Sequence, residues 1–412
     1  MKMNSPKKTL IALALLSTSS WVVANEDNGY TTESGIKITP LFEAYYEYND
    51  NVGRYSPSES PESSSALIAK PGVMFESDRN GNQYQIAYQL SSGNYFDSDV
   101  DDFLDHALTT NNFVQISQRS GIGFNYTYLK SHEARGTGIL AGDQLTTIAN
   151  EPVKYSLHNA NITHVYGAED ATGRLESNLR YENKKYNNYR DLTAPGFVAL
   201  STKYKDYDEL AGALAFYYQI FPATELLLEI DLADRQYKLG DPVSGSSQNN
   251  LDAYFLVGTQ WDITGKTTGK LRLGLQDKNY EDDAREDFNG FSWDLDVVWE
   301  PLTYSTIALS AAQSAIDPDQ GNNFINQTSF AASWKHFWLS RVYSNIAFDI
   351  INDDYSQSSR EDDLLRSSFY LGYAFREDTE ITAGWRYEDN DSSIDTNRYS
   401  QNVWYLGTNL VF

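Results

Sequence analysis

The chain has 412 residues, 57 acidic against 32 basic side chains, no cysteine, 41% apolar and 14% aromatic content. Without cysteine it is neither a disulfide-stapled scaffold nor a cysteine-ligated zinc domain, and a formal charge of -25 lacks the basic footprint that gripping nucleic-acid phosphates requires. A mean hydropathy of -0.53 is that of an ordinary soluble domain, with 30 Tyr and 19 Phe to build a core.

At the start of the chain Lys2, Lys7 and Lys8 precede an apolar stretch, 9–16, too short to cross a bilayer, and Val22-Val23-Ala24 forms a small-residue cleavage site. Residues 1–24 read as a signal peptide cleaved near Ala24, 25–34 as a short N-terminal segment and 35–412 as the folded domain. Removing three lysines and no acid makes the mature chain more acidic still. No later segment reaches the roughly 18 to 20 apolar residues of a membrane helix. With no lipidation cysteine, the mature chain is expected to be exported free of an anchor.

From there on, apolar residues alternate with polar ones at period two, the pattern of strands. Tyr84, Ile86, Tyr88 and Leu90 share one face while Gln83, Gln85, Ala87 and Gln89 share the other. Ile122, Phe124, Tyr126 and Tyr128 oppose Gly123, Asn125 and Thr127; Leu226, Leu228, Ile230 and Leu232 oppose Leu227, Glu229 and Asp231. Leu271, Leu273 and Leu275 oppose Lys270, Arg272, Gly274 and Gln276, and Ile381, Ala383, Trp385 and Tyr387 oppose Glu380, Thr382, Gly384 and Arg386.

A soluble sandwich alternates too, so the punctuation decides. Short turns fall at 78–82, 119–121, 170–173, 221–224, 264–267, 300–303, 335–337 and 376–379. Longer polar segments lie at about 50–64, 96–105, 131–154, 184–203, 239–249, 281–287, 316–323, 352–361 and 389–395. Strict alternation of short and long connections is the signature of a transmembrane β-barrel with short periplasmic turns and long extracellular loops. Eight turns and nine loops join about eighteen antiparallel strands, with sixteen as the alternative because Pro40 and Pro71 weaken the first strands and 184–203 has room for another element. The mature length allows roughly 21 residues per strand and connection, enough for the 9 to 11 that cross a bilayer. The sheet must close, since an open edge in hydrocarbon strands its backbone donors and acceptors. Low hydropathy then follows from half of each strand facing a polar lumen.

Aromatic residues beside the short turns, Phe216, Phe221, Trp261, Trp299, Tyr304, Trp334, Phe337, Trp338 and Phe375, read as a periplasmic-side girdle. At the end of the chain Tyr405, Gly407, Leu410 and the terminal Phe412 have the spacing of an outer-membrane insertion signal. The expected location is the outer membrane of a Gram-negative bacterium, where the barrel would meet lipid and lipopolysaccharide and depend on barrel-assembly machinery.

The block from Trp261 to Tyr304 carries Thr264-Gly265-Lys266-Thr267, Gly269, Arg272, Gly274, Asp287-Phe288, Gly290, Trp293, Trp299 and Pro301. It resembles the EpsL-type family of exopolysaccharide-operon outer-membrane β-barrels, a group of β-barrel porins. The resemblance implies a conduit in exopolysaccharide export or biosynthesis with a periplasmic polysaccharide-export partner; no catalytic residues come with it. Read physically, the same block is two strands, a turn and a hairpin loop, with Pro301 suited to a tight corner.

No enzymatic constellation stands out. The five histidines, His106, His132, His158, His164 and His336, show no metal-binding spacing, and His132 and His336 fall in loop and turn. Neither catalytic, cofactor nor metal residues are assigned. Acid runs at Asp97, Asp99, Asp101, Asp102 and Asp105, at Glu281, Asp282, Asp283, Glu286 and Asp287, and at Glu361, Asp362 and Asp363 read as solvated loops, with divalent bridging to lipopolysaccharide as the sharper reading. Candidate lumen-lining residues are Glu229, Asp231, Lys270, Arg272, Asp294, Asp296, Arg341, Asp349 and Arg386, and Tyr45, Tyr217, Tyr343, Tyr370 and Tyr405 share the polar face, where their rings suit sugar stacking.

The sequence therefore points to a passive exopolysaccharide channel, with a general or solute-specific diffusion porin and a plugged structural or adhesive barrel as the alternatives. An acidic lumen would repel an acidic polymer, so a lumen closer to neutral than the whole chain is expected, or a neutral or cationic cargo.

Overall fold

The computed structural model describes residues 28–168, 171–192, 198–263, 265–321 and 323–412. The signal peptide read at 1–24 lies outside them. Eighteen long strands follow one another in the chain: β1 (Lys37–Asn49), β2 (Ser64–Arg79), β3 (Asn82–Tyr95), β4 (Phe103–Ser117), β5 (Ser120–Glu133), β6 (Val153–Tyr166), β7 (Gly173–Tyr186), β8 (Tyr207–Phe221) and β9 (Thr224–Tyr237). The second half comprises β10 (Asn250–Ile263), β11 (Thr267–Tyr280), β12 (Phe288–Leu302), β13 (Ser305–Ile316), β14 (Ile325–Leu339), β15 (Val342–Tyr355), β16 (Glu361–Arg376), β17 (Thr379–Ser392) and β18 (Tyr399–Val411). Each pairs antiparallel with the next, and β18 returns to β1 from Val403↔Asn49 to Val411↔Leu41, closing an 18-stranded barrel. Tyr30–Thr31 adds a short bridge to Ile38 and Lys37 at the turn end of β1.

Closure satisfies every strand edge, which hydrocarbon demands. The outer face is an apolar belt: Leu226, Leu228, Ile230, Phe255, Val257, Leu275, Phe291, Phe348 and Leu406 are all exposed. Because side chains alternate, the opposite residues of the same strands point inward. Pro40 and Pro71 are accommodated side by side on β1 and β2, in register with Val73 and Phe42. The β2–β3 pairing skips Lys70 and Pro71, where proline has no N–H to donate.

The short connections are tight. Asn80 and Gly81 carry positive φ of 54° and 82° between Arg79 and Asn82, the two-residue hairpin that strand twist favours. Two turns fall later than the sequence placed them. β12 runs through Pro301 to Leu302 with a bulge after Trp299, so Pro301 ends a strand rather than making a corner. β14 runs through Lys335, His336 and Phe337 to Leu339, so the turn is at 340–341 and His336 belongs to a strand. His132 likewise lies in β5. At the seam between β18 and β1 the strand ladder stops at Val403↔Asn49. Above Val403 the Asp50 N–H donates to the Asn402 carbonyl at 3.1 Å, and side chains add Asn49 Nδ2 to Gln401 Oε1 at 3.0 Å, Asn51 Nδ2 to the Ser400 carbonyl at 3.0 Å, and Asn402 N and Nδ2 to Asp50 at 2.7 and 2.9 Å.

Candidate functional site: the lumen and its outer mouth

Two sectors of the inner wall carry charge, and in each the charges are paired across strands. On β9 to β12, Arg272 joins Glu229 at 2.7 Å to Asp294 at 3.0 Å, and Lys270 stands 3.7 Å from Glu229. Asp231 shares their face and Asp296 stands in register with Lys270. On β15 to β18 and β1, Arg366 links Asp349 at 3.3 Å to Glu388 at 3.0 Å, and Arg386 reaches Glu47 at 2.5 Å. Burying Glu229, Arg272, Asp294, Asp349, Glu388 and Glu47 is tolerable because each has an opposite partner, whereas Asp231 and Asp296 make no ion pair with a described residue. Arg341 is the exception among the residues singled out from the sequence. It has the parity of Asp349 but lies beyond the strand, exposed in the turn before Val342, and is not part of the wall.

The inward tyrosines lie against glycines on neighbouring strands. Tyr343 is in register with Gly372, Tyr370 and Tyr405 with Gly384, and Tyr45 with Gly407. A Cβ on Gly372 would come 2.3 Å from the Tyr343 ring, one on Gly384 2.6 Å from Tyr405 Oη, and one on Gly407 2.6 Å from Tyr45 Cβ. Cations cap several rings: Arg174 lies 4.1 Å from the Tyr217 centroid and Arg386 5.2 Å from that of Tyr405. Within the terminal motif, Tyr405 and Gly407 therefore face inward and Leu410 outward, while the Phe412 N–H donates to the Pro40 carbonyl at 3.0 Å. Phe337 leaves the expected girdle for the inner face, 5.0 Å from Tyr343. Trp261 packs over Gly269 on the outer face, where a Cβ would meet its ring at 2.3 Å, so this part of the motif block sets barrel geometry.

Between the charged sectors lie two uncharged ones. On β3 to β6 the inner face offers Gln83, Gln85, Gln89, Thr109, Asn111, Asn125, Thr127, Asn159 and Asn161, with carboxylates only at the outer ends, Asp105 and Glu133. On β13 and β14 it offers Thr306, Ser310, Ser314, Ser329 and Ser333, with alanines between and a charge only at the turn end, Lys335. The two sectors face each other across the ring. The sequence showed these alternations strand by strand, but their assembly into a continuous uncharged sector needs the register.

The outer mouth is crossed by loop 134–152. It folds into a single turn, Gly138–Leu140, and a six-residue helix, Asp143–Ile148. Ile139 and Leu140 are buried with Ala149, Val153 and Tyr186, and Leu145, Tyr189, Leu192 and Leu200 pack around them, drawing in the loop between β7 and β8. Gln320, from the loop on the far side of the ring, donates Nε2 to the carbonyls of Ile139 and Ala141 at 3.0 and 3.1 Å. Asp143 accepts from Ser56 N at 2.8 Å and Ser56 Oγ at 2.6 Å. Arg135 binds Asp101 at 2.7 Å and Glu62 at 2.8 Å.

A second set of bonds converges on Asp317 at the head of the far loop. It binds Lys278 at 3.1 Å and Arg235 at 2.8 Å and accepts from Tyr280 Oη at 3.0 Å. Burial alone would push this carboxyl up, but the two cations and their hydrogen bonds outweigh it and hold it at about 2. Lys205 Nζ donates to the Pro318 carbonyl at 3.0 Å, and burial pushes its ammonium down. The acid runs are largely engaged too: Asp101 as above, Asp287 with the Tyr280 N–H at 2.7 Å, and Asp362 with Arg360. Among the described residues no three His, Cys, Asp or Glu gather as metal ligands. His132 and Ser131 both bond Asp105, at 2.9 and 3.3 Å, so the hydroxyl meets the carboxylate and not the imidazole.

Residues 36–412, the whole of this barrel, match the family described as Putative beta-barrel porin 2. The chain belongs to that family. This porin is thus an outer-membrane β-barrel channel of porin type. Among solved structures, a mutant of the ferric enterobactin receptor PfeA from Pseudomonas aeruginosa is similar at 7% identity and a TM-score of 0.50, over 91% of this chain and 80% of that one. Pseudomonas aeruginosa OpdQ is 11% identical with a TM-score of 0.46, over 92% of the porin and 98% of its own chain. At such identity the first likeness speaks to fold alone. No curated protein matches the porin.

Proposed function

We propose that the porin is a passive conduit in exopolysaccharide export. The observation that supports this reading is the inner wall, where paired charges alternate with hydroxyl- and amide-bearing sectors and with tyrosine rings held open by glycines. Such a surface offers a hydroxylated chain many weak contacts and few unpaired charges to trap it. The motif block at 261–304 and its resemblance to EpsL-type barrels supply the polymer. Export would begin with the signal at 1–24, insertion would use barrel-assembly machinery acting on Tyr405, Gly407, Leu410 and Phe412, and a periplasmic polysaccharide-export partner would give direction. Deleting the gene should abolish or sharply reduce exopolysaccharide while growth on small solutes is unchanged; normal polymer would overturn the reading.

A diffusion porin is the second reading. Loop 134–152 across the mouth favours it, because an inward-folded loop suits small solutes better than a polymer. Slowed solute uptake in the deletion strain with intact exopolysaccharide is its expected signature. A closed barrel acting through its loops would show no conductance in a planar bilayer.

A further inference from the structure

Four carboxamides stand in one cross-strand row on the inner wall. Gln85 is in register with Asn111, Asn111 with Asn125 and Asn125 with Asn161. Neighbouring strands lie about 4.8 Å apart, so the row forms an arc roughly 15 Å long. A second row beside it, toward the outer mouth, is Thr109, Thr127 and Asn159. At its far end the arc is tied down, since Asn178 Nδ2 donates to Asn161 Oδ1 at 2.6 Å and to Thr163 Oγ1 at 2.9 Å. At its near end Gln85 Nε2 donates to Glu76 at 2.9 Å. Between these ends no side-chain hydrogen bond to a described residue engages Asn111, Asn125, Thr127 or Gln89, and Asn125 Oδ1 is buried without a partner. Phe113, inward and two residues from Asn111 along β4, lays its ring over Gly121, where a Cβ would come within 2.2 Å.

We propose that this row is the track along which the porin contacts its cargo, and that the cargo is an uncharged polyhydroxylated chain, a neutral glycan. The inference rests on the conduit reading and deepens it by naming the substrate class. A carboxamide presents donors and an acceptor side by side, whereas a carboxylate only accepts and an ammonium only donates. It therefore matches adjacent sugar hydroxyls, which themselves donate and accept, and Phe113 supplies a flat apolar surface beside the arc. A neutral amide is cheaper to desolvate than an ion, so contacts form and break readily as a chain slides. An anionic polymer gains nothing here and meets repulsion from Asp231 and Asp296, the carboxylates of the charged wall that no cation among the described residues pairs.

The test uses the full-length barrel in planar bilayers, with ion-current block by maltohexaose compared with block by an anionic oligogalacturonate of equal length. Maltohexaose should block and oligogalacturonate should block at least several-fold more weakly. The N111A/N125A variant should weaken maltohexaose block at least fivefold with open conductance within a factor of two. S310A/S329A, on the opposite uncharged sector, should leave block unchanged. Folding is checked by heat-modifiable gel mobility, and T127V with Q89A gives the same readout if the first double variant does not fold. Conductance without maltohexaose block, block indifferent to the row, or stronger block by the anion overturns the track and leaves the conduit standing. Absence of any conductance overturns both.

Discussion

The Arg135 guanidinium grips both carboxylate oxygens of Asp101, Nε on Oδ1 at 3.1 Å and Nη2 on Oδ2 at 2.7 Å, with each side chain less than a tenth exposed. The pair ties loop 134–152 to the loop between β3 and β4. Replacing Arg135 by Ala leaves Asp101 buried without its cation, at a cost of about 3 kcal/mol to the local structure. The R135A barrel should keep its heat-modifiable mobility while its mouth loop becomes several-fold more sensitive to limited proteolysis and its single-channel current noisier. Unchanged cleavage and noise would show that Arg135 does not hold the loop.

Asp317 gives the mouth an acid limit. Its carboxyl is held at about 2, below the ordinary 3.8, so its stabilising contribution is complete above about pH 4 and is lost as pH falls through 2. The size of the shift corresponds to about 2 kcal/mol. Channel current should stay steady from pH 7 to 4 and become unstable near pH 2. D317N should already show unstable current at pH 7, with no further change on acidification; wild-type behaviour in D317N would remove Asp317 from the mechanism.

Arg272 sets ion selectivity. It neutralises Glu229 and Asp294 together, and without it Lys270 at 3.7 Å is the nearest cation left to Glu229. The wild-type pore should prefer cations, and R272Q should raise the cation-to-anion permeability ratio by about twofold or more, read as the reversal potential in a KCl gradient. A ratio that falls would mean that these carboxylates do not face the ion path.

Gly372 is needed for Tyr343. A methyl group at 372 would stand 2.3 Å from the Tyr343 ring, whose hydroxyl also donates to Glu380. G372A should destabilise the folded barrel by about 1 to 3 kcal/mol, and Y343A in the same chain should recover part of that loss, because the clash has gone. Urea titration of the folded band on gels measures both. Strict additivity of the two substitutions would argue against a steric origin.

The wall was legible in the sequence because its information is local. Alternation along a strand puts Leu226 and Glu229 on opposite faces whatever the strand pairs with, and turn residues such as Asn80-Gly81 mark where it ends. Turn placement failed at 300–303, where Pro301 suited a tight corner but ends a strand, and at 335–337, where Phe337 and Lys335 continue the inner face of β14, with Lys335 4.4 Å from the Tyr343 centroid. Arg341 failed for the complementary reason, since parity carried past the strand end means nothing. The mouth was not legible at all. Nothing in the residues around Arg135 or Gln320 says that they meet Asp101 and Ile139, because those contacts are set by how loops from distant parts of the ring fold over a common opening. The uncharged sector lies between these cases, with each amide visible and their row hidden in the register.

Closure of the ring at β18 and β1 has a mechanical corollary. Below Val403 this seam is fixed by a backbone ladder, but above it one backbone bond, Asp50 N–H to the Asn402 carbonyl, is supplemented by the Asn49–Gln401 and Asp50–Asn402 clasps. The outer rim therefore has a joint here whose stiffness is written largely in side chains, and changing those few residues would let the barrel's aperture flare at that joint while its base keeps its bore.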